Sequence, residues 1–67
     1  MKHTVAITLN GTRMATLPAE ERPGNAATIR VYVPELEELL GFSRSTRTII
    51  RTDRQNTIVY RLRSYSM

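Results

Sequence analysis

The side chains with the most chemical reach in this chain are its arginines. Nine of the ten basic residues are arginine, six residues are acidic, and the formal net charge is +4 over 67 residues. A guanidinium offers its N–H groups in a planar fork, so it meets phosphate or carboxylate bidentately and stays charged at any physiological pH. The charge is also polarised along the chain. From Phe42 to Met67 six arginines accompany one acid, Asp53, a net of +5; from Pro18 to Gly41 two arginines accompany five glutamates, a net of −3. A basic half of this kind points to a polyanion, and a nucleic acid is the expected partner. Arg13, Arg44, Arg47 and Arg51 are the contacts that charge asymmetry and strand alternation suggest.

Other chemistry finds little material. There is no cysteine, hence no disulfide and no thiolate metal site, and one histidine, His3, cannot build a metal site by itself. His3 also lies at a chain end that is expected to fray. No nucleophile stands beside a base, and no glycine-rich phosphate loop or working pair of carboxylates is visible. Glu37 and Glu38 are adjacent and read as a solvated face. The expectations are therefore no enzyme activity, no cofactor, no metal and no small-molecule substrate. No apolar run approaches the ~20 residues that cross a bilayer, and no signal peptide opens the chain, so a cytoplasmic protein without a membrane segment is expected.

The elements that would position the arginines are mostly strands of a single domain, 1–67. "HTVAITL" (3–9) alternates, with Val5, Ile7 and Leu9 on one face. Asn10-Gly11 follows, the dipeptide that best tolerates the two positive φ angles of a type I′ hairpin turn. "TRMATL" (12–17) is the return strand. "PAEERPGNAA" (18–27) reads as a loop with room for one helical turn at Ala19–Arg22. "TIRVYV" (28–33) is a strand with Ile29, Val31 and Val33 on one face. Pro34 then suits the first position of a helix. Leu36, Leu39 and Leu40 are spaced i, i+3, i+4, the glutamates lie at the favourable N-terminal end, and Gly41 can close it. This spacing predicts a short α-helix. "TRTIIRT" (46–52) and "TIVYRLR" (57–63) form a second hairpin through "DRQN" (53–56). With Ile50 facing the core beside Tyr60 and Leu62, Arg47, Arg51, Arg61 and Arg63 would gather on one outer face.

The stretch "RVYVPELEELLGFSRSTRTIIRTDRQNTIVYRLR" (30–63), about half the chain, resembles the swapped-hairpin AbrB/MazE/SpoVT family. There a strand ending in proline runs into a short leucine-bearing helix closed by glycine and an apolar residue, and a hairpin follows. The resemblance implies a mainly β fold with one short α-helix, built as a swapped-hairpin, β-barrel-like intertwined homodimer. Dimerisation would supply the core that so short a chain struggles to bury alone. It implies a DNA-binding transcription regulator and puts Arg30 at a DNA contact. Only four residues follow Arg63, which favours a free-standing regulator over an antitoxin.

Two other readings compete. "TIRVYVPELEELLGFSRSTRTIIR" also resembles a ribbon-helix-helix repressor, with Thr28, Arg30 and Tyr32 in the major groove; the β-branched residues of its would-be second helix oppose that. A small β-rich interaction or assembly module without nucleic-acid binding would use Tyr32, Tyr60 and Tyr65 and present an exposed apolar patch.

Overall fold

The computed structural model describes residues 2–65. It is all β: β1 (Lys2–Leu9), β2 (Thr12–Arg22), β3 (Thr28–Val33), β4 (Glu38–Ser43), β5 (Thr48–Asp53) and β6 (Asn56–Tyr65). They form one antiparallel sheet in the order β4-β3-β2-β1-β6-β5. The chain therefore meanders from β1 to β4, and the β5–β6 hairpin returns to the free side of β1. The two ends of the row, β4 and β5, face each other, and the sheet is a nearly closed barrel. No helix among the described residues is long and apolar enough to cross a membrane.

Alternation explains the closure. Val5 on β1, Leu17 on β2, Ile29, Val31 and Val33 on β3, Leu40 and Phe42 on β4, and Tyr60 and Leu62 on β6 all turn inward to one core. Val5, Val31, Val33 and Phe42 are fully buried. The long strand β2 joins the two halves. Its residues 12–19 pair with β1 and its residues 20–22 pair with β3. Pro18 is tolerated because only one side of β2 is paired at that point. This corrects the expected loop and helical turn over 18–22: the alternation of Leu17, Ala19 and Glu21 carries the strand to Arg22, and the loop begins at Pro23.

The turns follow residue chemistry. Asn10 and Gly11 both have positive φ, 49° and 85°, as the type I′ turn requires. Asn10 also ties the two hairpins together. Its Oδ1 accepts from the Thr57 N–H at 2.8 Å, and its own N–H donates to the Thr57 carbonyl at 2.8 Å. In the β2–β3 loop, Asn25 Oδ1 accepts from the backbone N–H groups of Ala27 and Thr28, each at 2.9 Å. Gly24 is required there, because a Cβ would sit 2.5 Å from the Thr28 carbonyl oxygen.

The expected helix is absent. After Val33 the chain makes one tight turn, in which Leu36 N–H donates to Val33 and Glu37 N–H to Pro34, and Glu37 takes a φ of 52°. The next residues then pair with β3 from Val33↔Glu38 to Thr28↔Ser43. A two-turn helix cannot offset its nucleation cost alone. As a strand, the same residues bury Leu40 and Phe42, two apart, and leave Leu39 outside. The β5–β6 hairpin forms as expected, from Thr48↔Arg61 to Asp53↔Asn56. It occupies the place of the second helix of a ribbon-helix-helix protein, so that alternative fails on fold. One register differs from expectation: Ile49 faces inward opposite Tyr60, and Ile50 is 65% exposed.

A helical reading makes Leu39 a core residue and a strand reading does not. Phe42→Ala is expected to cost about 3–5 kcal/mol and Leu39→Ala about 0.5 kcal/mol or less, measured by urea denaturation. Equal costs would return the helix.

Candidate nucleic-acid interface

The outer face of β2, β1 and β6 carries the strongest concentration of unpaired positive charge. Period-2 alternation turns Thr4, Ala6 and Thr8 of β1 outward, with Arg61 opposite Ala6, Arg63 opposite Thr4 and Val59 opposite Thr8. On the other side Thr8 faces Arg13, next to the irregularity that shifts the β1–β2 register after Ile7. Together Arg13, Arg61 and Arg63 rim a concavity of about 180 Å³ whose floor is Ala6, Thr8 and Val59. All three are exposed. None makes a side-chain hydrogen bond or ion pair with the described residues, and the floor carries no acid. The floor side chains are small and bear methyl groups, and the longer arginines stand around them.

The other candidate arginines go elsewhere. Arg30 is exposed on the outer side of β3, between Arg22 and Gly41, with its Nη1 3.4 Å from the Pro23 carbonyl. Arg22 beside it is already engaged, at 3.1 Å from Glu20 and 5.4 Å above the Tyr32 ring. Arg51 lies at the β4–β5 seam, where it meets Glu38 at 3.1 Å and lies 5.0 Å from the centre of the Tyr60 ring. The hydrogen bond to the Glu38 carboxylate, set against desolvation and aided by Tyr60, raises the Arg51 pKa further above its ordinary value. The Arg51 guanidinium is therefore charged at every physiological pH. Arg44 and Arg47 stand at one mouth of the barrel. The five arginines singled out from the sequence thus occupy four places: Arg13 on the β2–β1–β6 face, Arg30 on β3, Arg51 at the seam, and Arg44 with Arg47 at the mouth. The expected four-arginine face reduces to Arg61 and Arg63, because Ile49 rather than Ile50 points inward.

The mouth also holds residues that sequence reasoning missed. His3 is 6% exposed. Its Nε2 lies 2.8 Å from Glu21 Oε1, and its Nδ1 lies 2.8 Å from Ser64 Oγ. Arg47 Nη2 donates to the same Ser64 oxygen. The available signal was phase: His3 alternates with Val5 and Ile7, so a strand that buries one turns all three inward. Among the described residues no group of three or more histidine, cysteine or acidic side chains gathers as a metal site. The aromatic contacts expected of an interaction module are dispersed, with Tyr60 inside the core, Tyr32 under Arg22 and Tyr65 half-exposed at the end of β6. The exposed large apolar side chains, Met14, Leu39, Ile50 and Tyr65, sit on four different strands.

No protein family, curated protein or solved structure matches this chain.

The seam pair gives a direct test of closure. A double-mutant cycle of Glu38→Gln and Arg51→Gln is expected to return a coupling of about 0.2–1 kcal/mol that shrinks with added salt. Zero coupling at low salt would count against a closed β4–β5 seam.

Proposed function

We propose that the protein binds duplex DNA through the outer face of β2, β1 and β6, with Arg13, Arg61 and Arg63 against the phosphates. One observation carries this reading: three arginines rim a single concavity and have no acidic neighbour in it. The acids of the 18–41 stretch are partly spent elsewhere, Glu20 on Arg22, Glu21 on His3 and Glu38 on Arg51. Like charges facing one another across a sheet repel, and an anion alongside removes that cost. The surface has no aromatic platform for stacking unpaired bases, which favours backbone contact with a duplex over capture of single strands.

We further propose that the protein is a transcription regulator that works as an intertwined homodimer. One chain already encloses a core, so dimerisation is not needed to create one. The seam still offers a route to exchange. β4 and β5 share no ladder, and the connection 44–47 between them is short and contains Arg47 at a φ of 54°. Two chains could trade β5–β6 hairpins about that connection, since short strained hinges favour swapping. Such a dimer would bring two basic faces to one duplex and explain regulation by occupancy. Light scattering across a concentration series tests it: a mass of two chains is expected, and a concentration-independent single-chain mass leaves a monomeric DNA binder.

Binding itself is read by anisotropy on a random duplex over a range of salt. Three phosphate contacts should give a slope of roughly −2.7 log units in affinity per tenfold salt, and Arg61→Ala with Arg63→Ala should flatten it by about two units. Arg51→Gln should change little. Stronger loss from Arg30→Ala than from the Arg61/Arg63 pair would move the interface to β3, where the family resemblance puts it.

A further inference from the structure

We propose that the mouth of the barrel is a second anion site, one that holds a single small oxyanion, a carboxylate or a phosphate, between Arg44 and Arg47. The concavity there is about 310 Å³ and is lined by His3, Glu21, Ile29, Arg44, Arg47 and Ser64. It shares no residue with the DNA face. Both guanidiniums are held from one side and free on the other. Arg44 Nε donates to the Asn25 carbonyl at 3.1 Å, which leaves its two Nη groups without a partner among the described residues. Arg47 uses Nη2 on Ser64, which leaves Nη1 and Nε. Two tethered forks with unused N–H groups in one cavity make the geometry that takes a planar or tetrahedral oxyanion.

The hydrogen-bond order supports a preorganised site. Arg47 can only donate, so Ser64 Oγ accepts from it; the same oxygen lies 2.8 Å from His3 Nδ1, and His3 Nε2 lies 2.8 Å from Glu21 Oε1. Every group in the chain is satisfied without using the free guanidinium edges. The backbone supplies a separate observation. Arg47 sits in the left-handed region, where a glycine would be unstrained. Two backbone hydrogen bonds hold it there, from its N–H to Ser43 at 2.8 Å and from Leu62 N–H to its carbonyl at 2.9 Å. A strained position that keeps a long cationic side chain and aims it into a cavity fits a binding role. Glu21 is the one acid in the lining, and it opposes an anion there.

The test is a nitrogen-15 NMR titration of the whole protein with inorganic phosphate and, separately, acetate, at ionic strength held constant with chloride. Saturable shifts at His3, Arg47 and Ser64 are expected with phosphate, acetate or both, and whichever anion gives them names the class. Arg47→Gly keeps the backbone angle, so its melting midpoint should hold or rise while affinity falls about tenfold or more. Arg44→Ala should also weaken binding, and Glu21→Gln, which still accepts from His3, should strengthen it. The Arg61→Ala, Arg63→Ala double variant should bind the small anion as before. Absence of saturable shifts with either anion, shifts confined to Ala6, Thr8 and Val59, or undiminished binding in a folded Arg47→Gly protein would each overturn the proposal.

Discussion

A sheet that curls on itself gives its side chains only two destinations, and that constraint organises this molecule. Inward positions must be apolar or internally satisfied, because the interior excludes water. Outward positions can carry almost anything. Four fully buried residues, Val5, Val31, Val33 and Phe42, come from three strands and meet in one core. The pairing of β4 with β3 matters most, because it brings Leu40 and Phe42 over Ile29 and Val31 and converts an open half-sheet into a wall of the barrel. Without that wall, β5 would have no edge to approach and the seam would not exist.

Charge is sorted by the same rule. Arginines on outward positions are solvated, those near an open edge find an acid, and those at the end of the barrel share a polar network. The pairs at Glu20–Arg22 and Glu38–Arg51 are half-exposed, so each adds little stability. Their larger consequence is subtraction. They neutralise the middle of the chain and leave the concavity between β2, β1 and β6 lined by arginines with no acid. Polarity along the sequence thus becomes polarity across a surface through strand register.

Much of this was legible in the residues. The Asn10-Gly11 turn, the inward sets of β1 and β3, and the hairpin around Arg54 all follow from local chemistry. What was not legible came from competition between periods. "ELEELLGF" satisfies a helical spacing through Leu36, Leu39 and Leu40 and a strand spacing through Leu40 and Phe42, and only the partner strand β3 decides. "TIIRT" has two adjacent isoleucines, so its inward phase is ambiguous by one residue, and that slip relocates Arg51 and Arg47 together. Pro18 and Pro23 suggested one continuous loop, yet β2 accommodates the first of them where it has a neighbour on one side only. His3 and Ser64 meet across β1 and β6, 61 residues apart in sequence, a contact that only the sheet order reveals.

The proposed phosphate-binding surface depends on register, which gathers Arg13, Arg61 and Arg63 at one concavity while the acids pair elsewhere. Amide shift mapping with a short duplex tests it most directly. The perturbed residues are expected to form one contiguous set on β2, β1 and β6, centred on Thr8, Arg13 and Val59 to Arg63, with the outer residues of β3 and β4 unmoved. Perturbation centred on Arg30 and Tyr32, or no perturbation at low salt, would contradict it.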